Sequence, residues 1–184
     1  MRRFVNLRIV SVGCTLNFCA NYDPNQPLTM ANSIKTGIPI CNIFIADDDN
    51  DDLLFFRDAL KKIDESIKLE TVGDGNALLN LLSHLKPDLL FLDLDMPGKN
   101  GLECLVEIRN NPRLQQLPIV VFSSTTRPAN IETAYEMGAD LFFIKPPNYN
   151  DLISSINAIL KLNWGNPSEV KEQYFVNGRY VAFM

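Results

Sequence analysis

Residues 88–101 read DLLFLDLDMPGKNG, and this stretch governs how the rest of the chain is interpreted. The apolar run Leu89–Leu92 leads into Asp93, Asp95 follows two positions later, and Met-Pro-Gly comes next. A short apolar run that ends in polar residues is typical of a strand buried on both faces. The stretch therefore predicts a central strand that ends on a carboxylate and is followed by a sharp turn.

Similar apolar runs recur along the chain and alternate with amphipathic segments. Short runs bounded by polar or turn residues predict strands, and apolar residues spaced by three or four predict helices. The predicted strands are 41–47, 68–72, 89–93, 118–123 and 141–145, and the predicted helices are 51–65, 76–85, 101–110, one from about Pro128, and 149–162.

Strict alternation of strands and helices predicts a parallel sheet covered by helices on both faces, with right-handed crossovers. The second predicted strand, KLETV at 68–72, is the least apolar and is expected at an edge of the sheet. We therefore predict an α/β fold of the flavodoxin-like, doubly wound type, with a five-stranded parallel sheet of order 2-1-3-4-5 and five helices.

Polar side chains stand at the carboxyl ends of the predicted strands, where sheets of this type bind their ligands. Because strands one and three are neighbours in the predicted order, the carboxylates that end them should converge. In strand order these polar residues are Asp47 and Asp48, Asp93, Ser123, and Lys145.

Three neighbouring carboxylates repel one another, and each is driven towards protonation unless a cation is present. Ligands that are all oxygen favour Mg²⁺ over Zn²⁺. Lys145 adds a positive charge and Ser123 a hydroxyl donor, so the pocket suits a small, oxygen-rich anion such as a phosphoryl group. Asp93, at the centre, is placed to attack phosphorus and to carry it as an aspartyl phosphate.

The segment 42–162 resembles a receiver domain of the two-component response regulators. The matching stretches are IFIADDDNDD, DLLFLDLDMPGKNG, LPIVVFSS and GADLFFIKPP, in the order and spacing of that family. The resemblance implies that Asp93 is the phosphoacceptor and that Asp48 is the direct Mg²⁺ ligand. It also implies that Asp47 holds the ion through water and that the backbone carbonyl of Asp95 is a further ligand.

The resemblance also assigns residues of the last two strands. It implies that Ser123 is the switch hydroxyl, Lys145 the phosphate-pairing lysine and Phe142 the rotating aromatic. Serine stands where threonine is commoner in the family, and a phenylalanine cannot donate a hydroxyl, so an inward swing of Phe142 would rest on packing alone. The Lys145–Pro146 bond is expected to be cis, as in the family.

The function implied is that of a signalling receiver which catalyses its own phosphorylation and dephosphorylation and is not otherwise an enzyme. Its expected partners are a histidine kinase or phosphotransfer protein and a downstream protein effector, and its expected location is the cytoplasm. A degenerate receiver that only binds proteins is the main alternative. A haloacid-dehalogenase-like phosphatase also carries an Asp-x-Asp motif, but on its first strand and followed by Thr or Val.

Composition narrows the classes of partner. The 184 residues carry a formal net charge of −5 and no basic stripe, which argues against direct binding of nucleic acid. The most apolar terminal stretch is too polar to span a bilayer, so no membrane contact is expected. Four cysteines without a Cys-x-x-Cys pair, beside a single histidine, make a zinc site improbable. Nothing in the sequence indicates the oligomeric state.

The two ends of the chain differ from the receiver segment, which we place at 41–163. Residues 1–40 are predicted to be a flexible extension, with an export signal or a translation start at Met30 as alternatives. Residues 164–184 are too short for an output domain, so a stand-alone receiver is expected. The Asn-Gly pair at 177–178, between β-prone runs, predicts a hairpin that is either docked or disordered.

Overall fold

The structure is a computed structural model, and it describes residues 8–11, 14–17 and 39–184. The chain forms two units, 1–36 and 37–184. Within the described part, no helix combines the length and the apolar composition that a membrane crossing requires.

The first unit contains two short strands. β1 (Arg8–Ser11) pairs with β2 (Cys14–Asn17) in antiparallel register. Residues 1–7, 12–13 and 18–38 lie outside the described residues. The predictions of a flexible extension, an export signal and a translation start at Met30 fall mostly on these residues.

The second unit is built on a five-stranded parallel sheet of order β4-β3-β5-β6-β7. Counted within this unit alone, that order is 2-1-3-4-5, so the predicted flavodoxin-like fold is confirmed, with the polar strand β4 at one edge. The strands are β3 (Asn42–Ala46), β4 (Lys68–Val72), β5 (Leu89–Leu92), β6 (Ile119–Ser123) and β7 (Leu141–Ile144).

Six helices accompany the sheet in the part of the chain described. Side chains cap several of them at the strand ends: Asp49 accepts hydrogen bonds at the start of the first helix, and Asn100 forms a capping box with Glu103 at the third. The helices are α1 (Asn50–Ile63), α2 (Gly75–His84), α3 (Gly101–Asn110), α4 (Pro128–Glu136), α5 (Tyr149–Leu160) and α6 (Pro167–Gln173).

The expected number of helices was five, and the additional one is α6. Pro167 occupies the first turn of α6, where a missing N–H costs nothing, and Val170 is the residue that the helix buries. The pair Asn166-Pro167 is the signal in the sequence for the start of this helix. With one apolar anchor, the segment lacks the periodic pattern that predicts a helix.

Alternate residues of each strand supply two separate cores. On β3, Ile43 and Ile45 belong to the core under α1 and α5, whereas Phe44 and Ala46 belong to the core under α2, α3 and α4. The sheet is thus apolar on both faces, and polar side chains find room only at the strand ends.

The C-terminal residues return to the sheet after α6. β8 (Phe175–Val176) and β9 (Arg179–Tyr180) pair antiparallel around Asn177 and Gly178, whose φ angles are 53° and 79°. Two consecutive positive φ angles are what a two-residue hairpin turn requires, and asparagine and glycine adopt them at low cost. Phe183 then forms a parallel bridge with Phe143 of β7.

The start of α3 passes very close to the end of β5. A Cβ atom at Gly101 would lie 2.0 Å from the carbonyl oxygen of Asp93, and the N–H of Gly101 donates to the carbonyl of Leu94 over 3.0 Å. The glycine therefore allows the α3 terminus to hold the backbone around Asp93 in place.

Replacing Gly101 by alanine is expected to lower the free energy of unfolding by about 3 kcal/mol, because two backbone segments must separate. Urea denaturation followed by circular dichroism measures this loss. Gly73→Ala is the matched control, since its Cβ would meet only the Asp47 carbonyl oxygen at 4.0 Å. The control should stay within about 1 kcal/mol of wild type, and equal losses in both variants would contradict the close approach.

Candidate functional site

The sheet ladder continues one residue beyond three strands and fixes the backbone of the site. The N–H of Asp47 donates to β4 over 3.0 Å, that of Asp93 to β3 over 2.9 Å, and that of Lys145 to β6 over 2.9 Å. Because these bonds extend the regular pairing, the three side chains project at fixed positions from the carboxyl end of the sheet.

Three carboxylates meet at the carboxyl end of the sheet. One oxygen each from Asp47, Asp48 and Asp93 lies within 4.8 Å of the others. Asp47 is 0% exposed and Asp93 is 4% exposed, whereas Asp48 is open to solvent. An all-carboxylate set with one exposed member suits a hard divalent cation that retains some of its water.

Lys145 is the cation at the centre of this cluster. Its Nζ lies 2.7 Å from Oδ2 of Asp47, 2.7 Å from Oδ2 of Asp52 and 3.7 Å from Oδ1 of Asp93. The ammonium group also stands 5.2 Å from the centre of the Phe122 ring. Burial works against its charge, yet the ion pairs with Asp47 and Asp52 outweigh burial and raise the pKa of Lys145.

Asp52 is a site residue that the sequence analysis missed. It lies in the first turn of α1, three residues after the capping residue Asp49, and is half-buried against the lysine. The signal was present in the acidic run 47–52, because a helix that starts at a strand end carries its first turn over the same edge.

The charge on the buried carboxylates is only partly compensated. Burial, together with the negative charge of Asp47, raises the pKa of Asp93 to about 6, although Lys145 opposes the change. Burial likewise raises the pKa of Asp47. These shifts mean that both groups resist ionisation until more positive charge is supplied.

The oxygens of Asp47 and Asp93 test whether a metal ion fits. Oδ1 of Asp47 accepts from the N–H of Asp49 over 3.0 Å, and Oδ2 of Asp93 accepts from the N–H of Asp95 over 3.2 Å. Oδ2 of Asp47 is buried, and among the described residues its partner is the ammonium group of Lys145, 2.7 Å away. Two buried carboxylates that share one ammonium group, beside the exposed carboxylate of Asp48, fit a divalent cation.

The remaining residues named from the sequence occupy distinct places. Ser123 ends β6 with its side chain buried, and its Oγ accepts from the N–H of Thr125 over 3.3 Å. Phe142 is fully buried on the face of β7 that packs against α4. Asp95 is exposed beyond β5.

The expected cis bond between Lys145 and Pro146 is wrong. No cis peptide bond occurs among the described residues, so this bond is trans. The trans isomer of an X–Pro bond is favoured intrinsically by about 0.5–1 kcal/mol. Lys145 reaches its carboxylate partners from the trans arrangement.

Solved structures of response regulators share this architecture. The phosphorylated cyanobacterial phytochrome response regulator RcpA is 28% identical, with a TM-score of 0.62 over 65% of this chain and 91% of that chain. The Mn²⁺-bound form of response regulator Rcp1, a protein of Synechocystis, is also 28% identical, with a TM-score of 0.60 over the same shares.

Two curated relatives are longer proteins than this chain. The DNA-binding response regulator MtrA of Mycolicibacterium smegmatis is 31% identical over 106 residues, which are 58% of this chain and 45% of that protein. A probable cyclic di-GMP phosphodiesterase of Vibrio cholerae is 26% identical over 153 residues, which are 83% of this chain and 33% of that protein. The chain therefore spans less than half the length of these two relatives.

Replacing Asp93 by asparagine should stabilise the metal-free fold at neutral pH. The folded protein holds the Asp93 proton more tightly than the unfolded chain, so its free energy of unfolding falls as pH rises from about 4 to about 6. In EDTA at pH 7, Asp93→Asn should raise the free energy of unfolding by about 2 kcal/mol, and the gain should shrink at pH 4. Urea titrations at both pH values measure it.

The matched control is Asp95→Asn, which alters an exposed carboxylate two residues away. It should change the free energy of unfolding by less than about 0.5 kcal/mol at either pH. If Asp93→Asn lowers stability at pH 7, the buried carboxylate is better compensated than the ion-pair distances indicate.

The family match rests on the segment that contains all these side chains. Residues 43–157 match the family described as "Response regulator receiver domain". The matched range covers more than half of the chain, runs from β3 into α5, and includes the carboxylate cluster and Lys145. The chain therefore belongs to the response regulator receiver domain family.

Proposed function

We propose that this chain is the phosphoacceptor receiver of a two-component phosphorelay in the cytoplasm. Asp93 accepts a phosphoryl group from the phosphohistidine of a histidine kinase or phosphotransfer protein. The observation that carries the proposal is the cluster of three carboxylates, Asp47, Asp48 and Asp93, whose two buried members, Asp47 and Asp93, also face the ammonium group of Lys145. RcpA, whose sequence is 28% identical to this chain, has been solved in a phosphorylated form, and this supports the proposal.

A divalent cation belongs to this proposal. Asp47, Asp48 and Asp93 would hold Mg²⁺, with the backbone carbonyl of Asp95 as a further ligand. When bound, the ion neutralises the carboxylates and withdraws charge from the phosphoryl oxygens. The three carboxylate oxygens within 4.8 Å of one another support this assignment, as does the Mn²⁺-bound form of Rcp1.

The transfer step uses the Asp93 oxygen that faces the lysine. Oδ1 attacks phosphorus, the P–N bond to the donor imidazole breaks, and its electron pair stays on that nitrogen, which takes up a proton. Oδ2 meanwhile keeps the hydrogen bond from the N–H of Asp95, which orients the carboxylate. Lys145, 3.7 Å from Oδ1, is placed to pair with an oxygen of the incoming group. Water later hydrolyses the acyl phosphate and returns Asp93 to its carboxylate form.

The phosphodonor would dock beside α1. Leu54 is 47% exposed and Phe55 is 50% exposed on this helix, whose first turn contacts Lys145 through Asp52. A cleft lined by Phe55, Lys145 and Tyr149 opens next to them. Because the donor histidine must reach Asp93, apolar side chains on this rim suit a donor helix that packs across α1.

In the proposed mechanism, β6 and β7 transmit the effect of phosphorylation to the surface that binds the effector. In the proposed switch, Ser123 turns its hydroxyl towards the new phosphoryl group and gives up the hydrogen bond from Thr125. Phe142, packed between the sheet and α4, adjusts to the space that Ser123 leaves. The altered face around α4, β7 and α5 then binds a downstream protein effector.

Incubation with acetyl phosphate and Mg²⁺ tests the proposal, with intact-protein mass spectrometry as the readout. Wild type should gain one phosphoryl group only when Mg²⁺ is present, and Asp93→Asn should gain none. Lys145→Met should be labelled about a hundredfold more slowly, because it removes the positive charge that faces the transferring group.

Asp95→Asn serves as the matched control, since it changes a neighbouring exposed carboxylate and leaves the backbone carbonyl intact. It should still be labelled. Labelling of Asp93→Asn to the wild-type extent would overturn the assignment, and a wild type that is never labelled would point to a receiver that acts only by binding proteins.

A further inference from the structure

The edge of the sheet at β7 is covered by the chain's own C-terminal segment, which we define as residues 174–183. The N–H of Phe183 donates to the carbonyl of Phe142 over 2.7 Å, and the N–H of Ile144 donates to the carbonyl of Phe183 over 3.2 Å. The ring of Phe183 lies edge-on to that of Phe143, with centroids 5.7 Å apart. Phe183 thus makes a single parallel bridge at the free side of β7, where a further strand would pair.

The same segment is also held by α4. The N–H of Tyr180 donates to a carboxylate oxygen of Glu132 over 3.2 Å, and the rings of Tyr180 and Tyr135 stack with centroids 4.5 Å apart. Glu132 and Tyr135 both belong to α4. The C-terminal segment therefore bridges a strand and a helix that are separate elements of the fold.

One hydroxyl joins the three parts. Tyr135 donates to the carbonyl of Val181 over 3.1 Å and accepts from the N–H of Phe142 over 3.0 Å. The side chain of Tyr135 is fully buried, and burial raises its pKa, so the hydroxyl keeps the proton that it donates. The backbone of Phe142 is consequently tied to the segment twice, through Tyr135 and through Phe183.

Both anchors of the segment connect to the phosphorylation site. Ser123 pairs in register with Ile144 at the end of β7, and the residues after Ser123 lead directly into α4. Phe142, on β7, lies three residues before Lys145 in the chain. In the proposed switch, a change at Ser123 and Phe142 shifts α4 relative to β7, and a segment bonded to both elements cannot follow both.

We propose that the C-terminal segment is a built-in strand ligand of the face formed by α4 and β7, and that phosphorylation of Asp93 releases it. While the segment is in place, the backbone groups of Phe142 and Ile144 are used, and the edge is closed to a partner's strand. The inference rests on the proposed function, because the release is driven by the acyl phosphate.

Hydrogen exchange of the full chain, read residue by residue by NMR, tests the release. The amides of Phe183 and Ile144 should be protected before treatment. With excess acetyl phosphate and Mg²⁺, their exchange should accelerate by about tenfold or more. Asp93→Asn under the same conditions should show no acceleration. Mass spectrometry of the same samples reports how much protein carries the phosphoryl group.

The two readouts separate the two proposals. If the protein is phosphorylated but both amides stay protected, the release is wrong and the proposed function stands. If the protein takes up no phosphoryl group, the proposed function fails and so does the release. In that case the following variants still decide whether Tyr135 holds the segment.

Tyr135→Phe removes the shared hydroxyl without phosphorylation. The amide of Phe183 should then exchange about tenfold faster than in wild type, because the Val181 carbonyl and the Phe142 amide lose their common partner. Tyr174→Phe is the matched control, since the Tyr174 hydroxyl makes no hydrogen bond with any described residue. Equal exchange in the two variants would show that Tyr135 does not hold the segment.

Discussion

The charge balance around Lys145 is the constraint on which the site depends. One ammonium group faces Asp47 and Asp52 at 2.7 Å and Asp93 at 3.7 Å, and two of these three carboxylates are buried. Buried charge is costly unless it is compensated. Burial, together with the negative charge of Asp47, raises the pKa of Asp93 to about 6, because a single lysine does not offset both. The same excess of negative charge that destabilises the fold favours a divalent cation, and in the proposed mechanism that cation keeps Asp93 ionised for attack on phosphorus.

The parallel sheet connects this chemistry to a distant surface. β6 ends at the site with Ser123, and Lys145 follows the last residue of β7. The same two strands pack against α4, and β7 carries Phe142. Packed interfaces of this kind shift between discrete arrangements more readily than they deform gradually. In the proposed mechanism, a rearrangement at the strand ends therefore reaches α4 and the C-terminal segment that spans it.

The fold could be predicted because an uninterrupted apolar run such as 89–92 admits few structures other than a central strand. The side-by-side placement of Asp47 and Asp93 followed from strand order alone. Asp52 was missed because the direction of a first-turn side chain depends on where its helix begins relative to the strand. The cis expectation for Lys145–Pro146 came from the family resemblance and was wrong, whereas the attachment of Phe183 to β7 depends on tertiary contacts that local patterns do not encode.

Chemical trapping of the phosphorylated residue tests the central claim most directly. Borohydride reduces an acyl phosphate to an alcohol, so a phosphorylated aspartate becomes homoserine and can be located by peptide sequencing. After treatment with acetyl phosphate and Mg²⁺, the account predicts homoserine at position 93 and at no other position. Homoserine at Asp47, Asp48 or Asp95, or its absence from a protein that carries a phosphoryl group, would contradict the account.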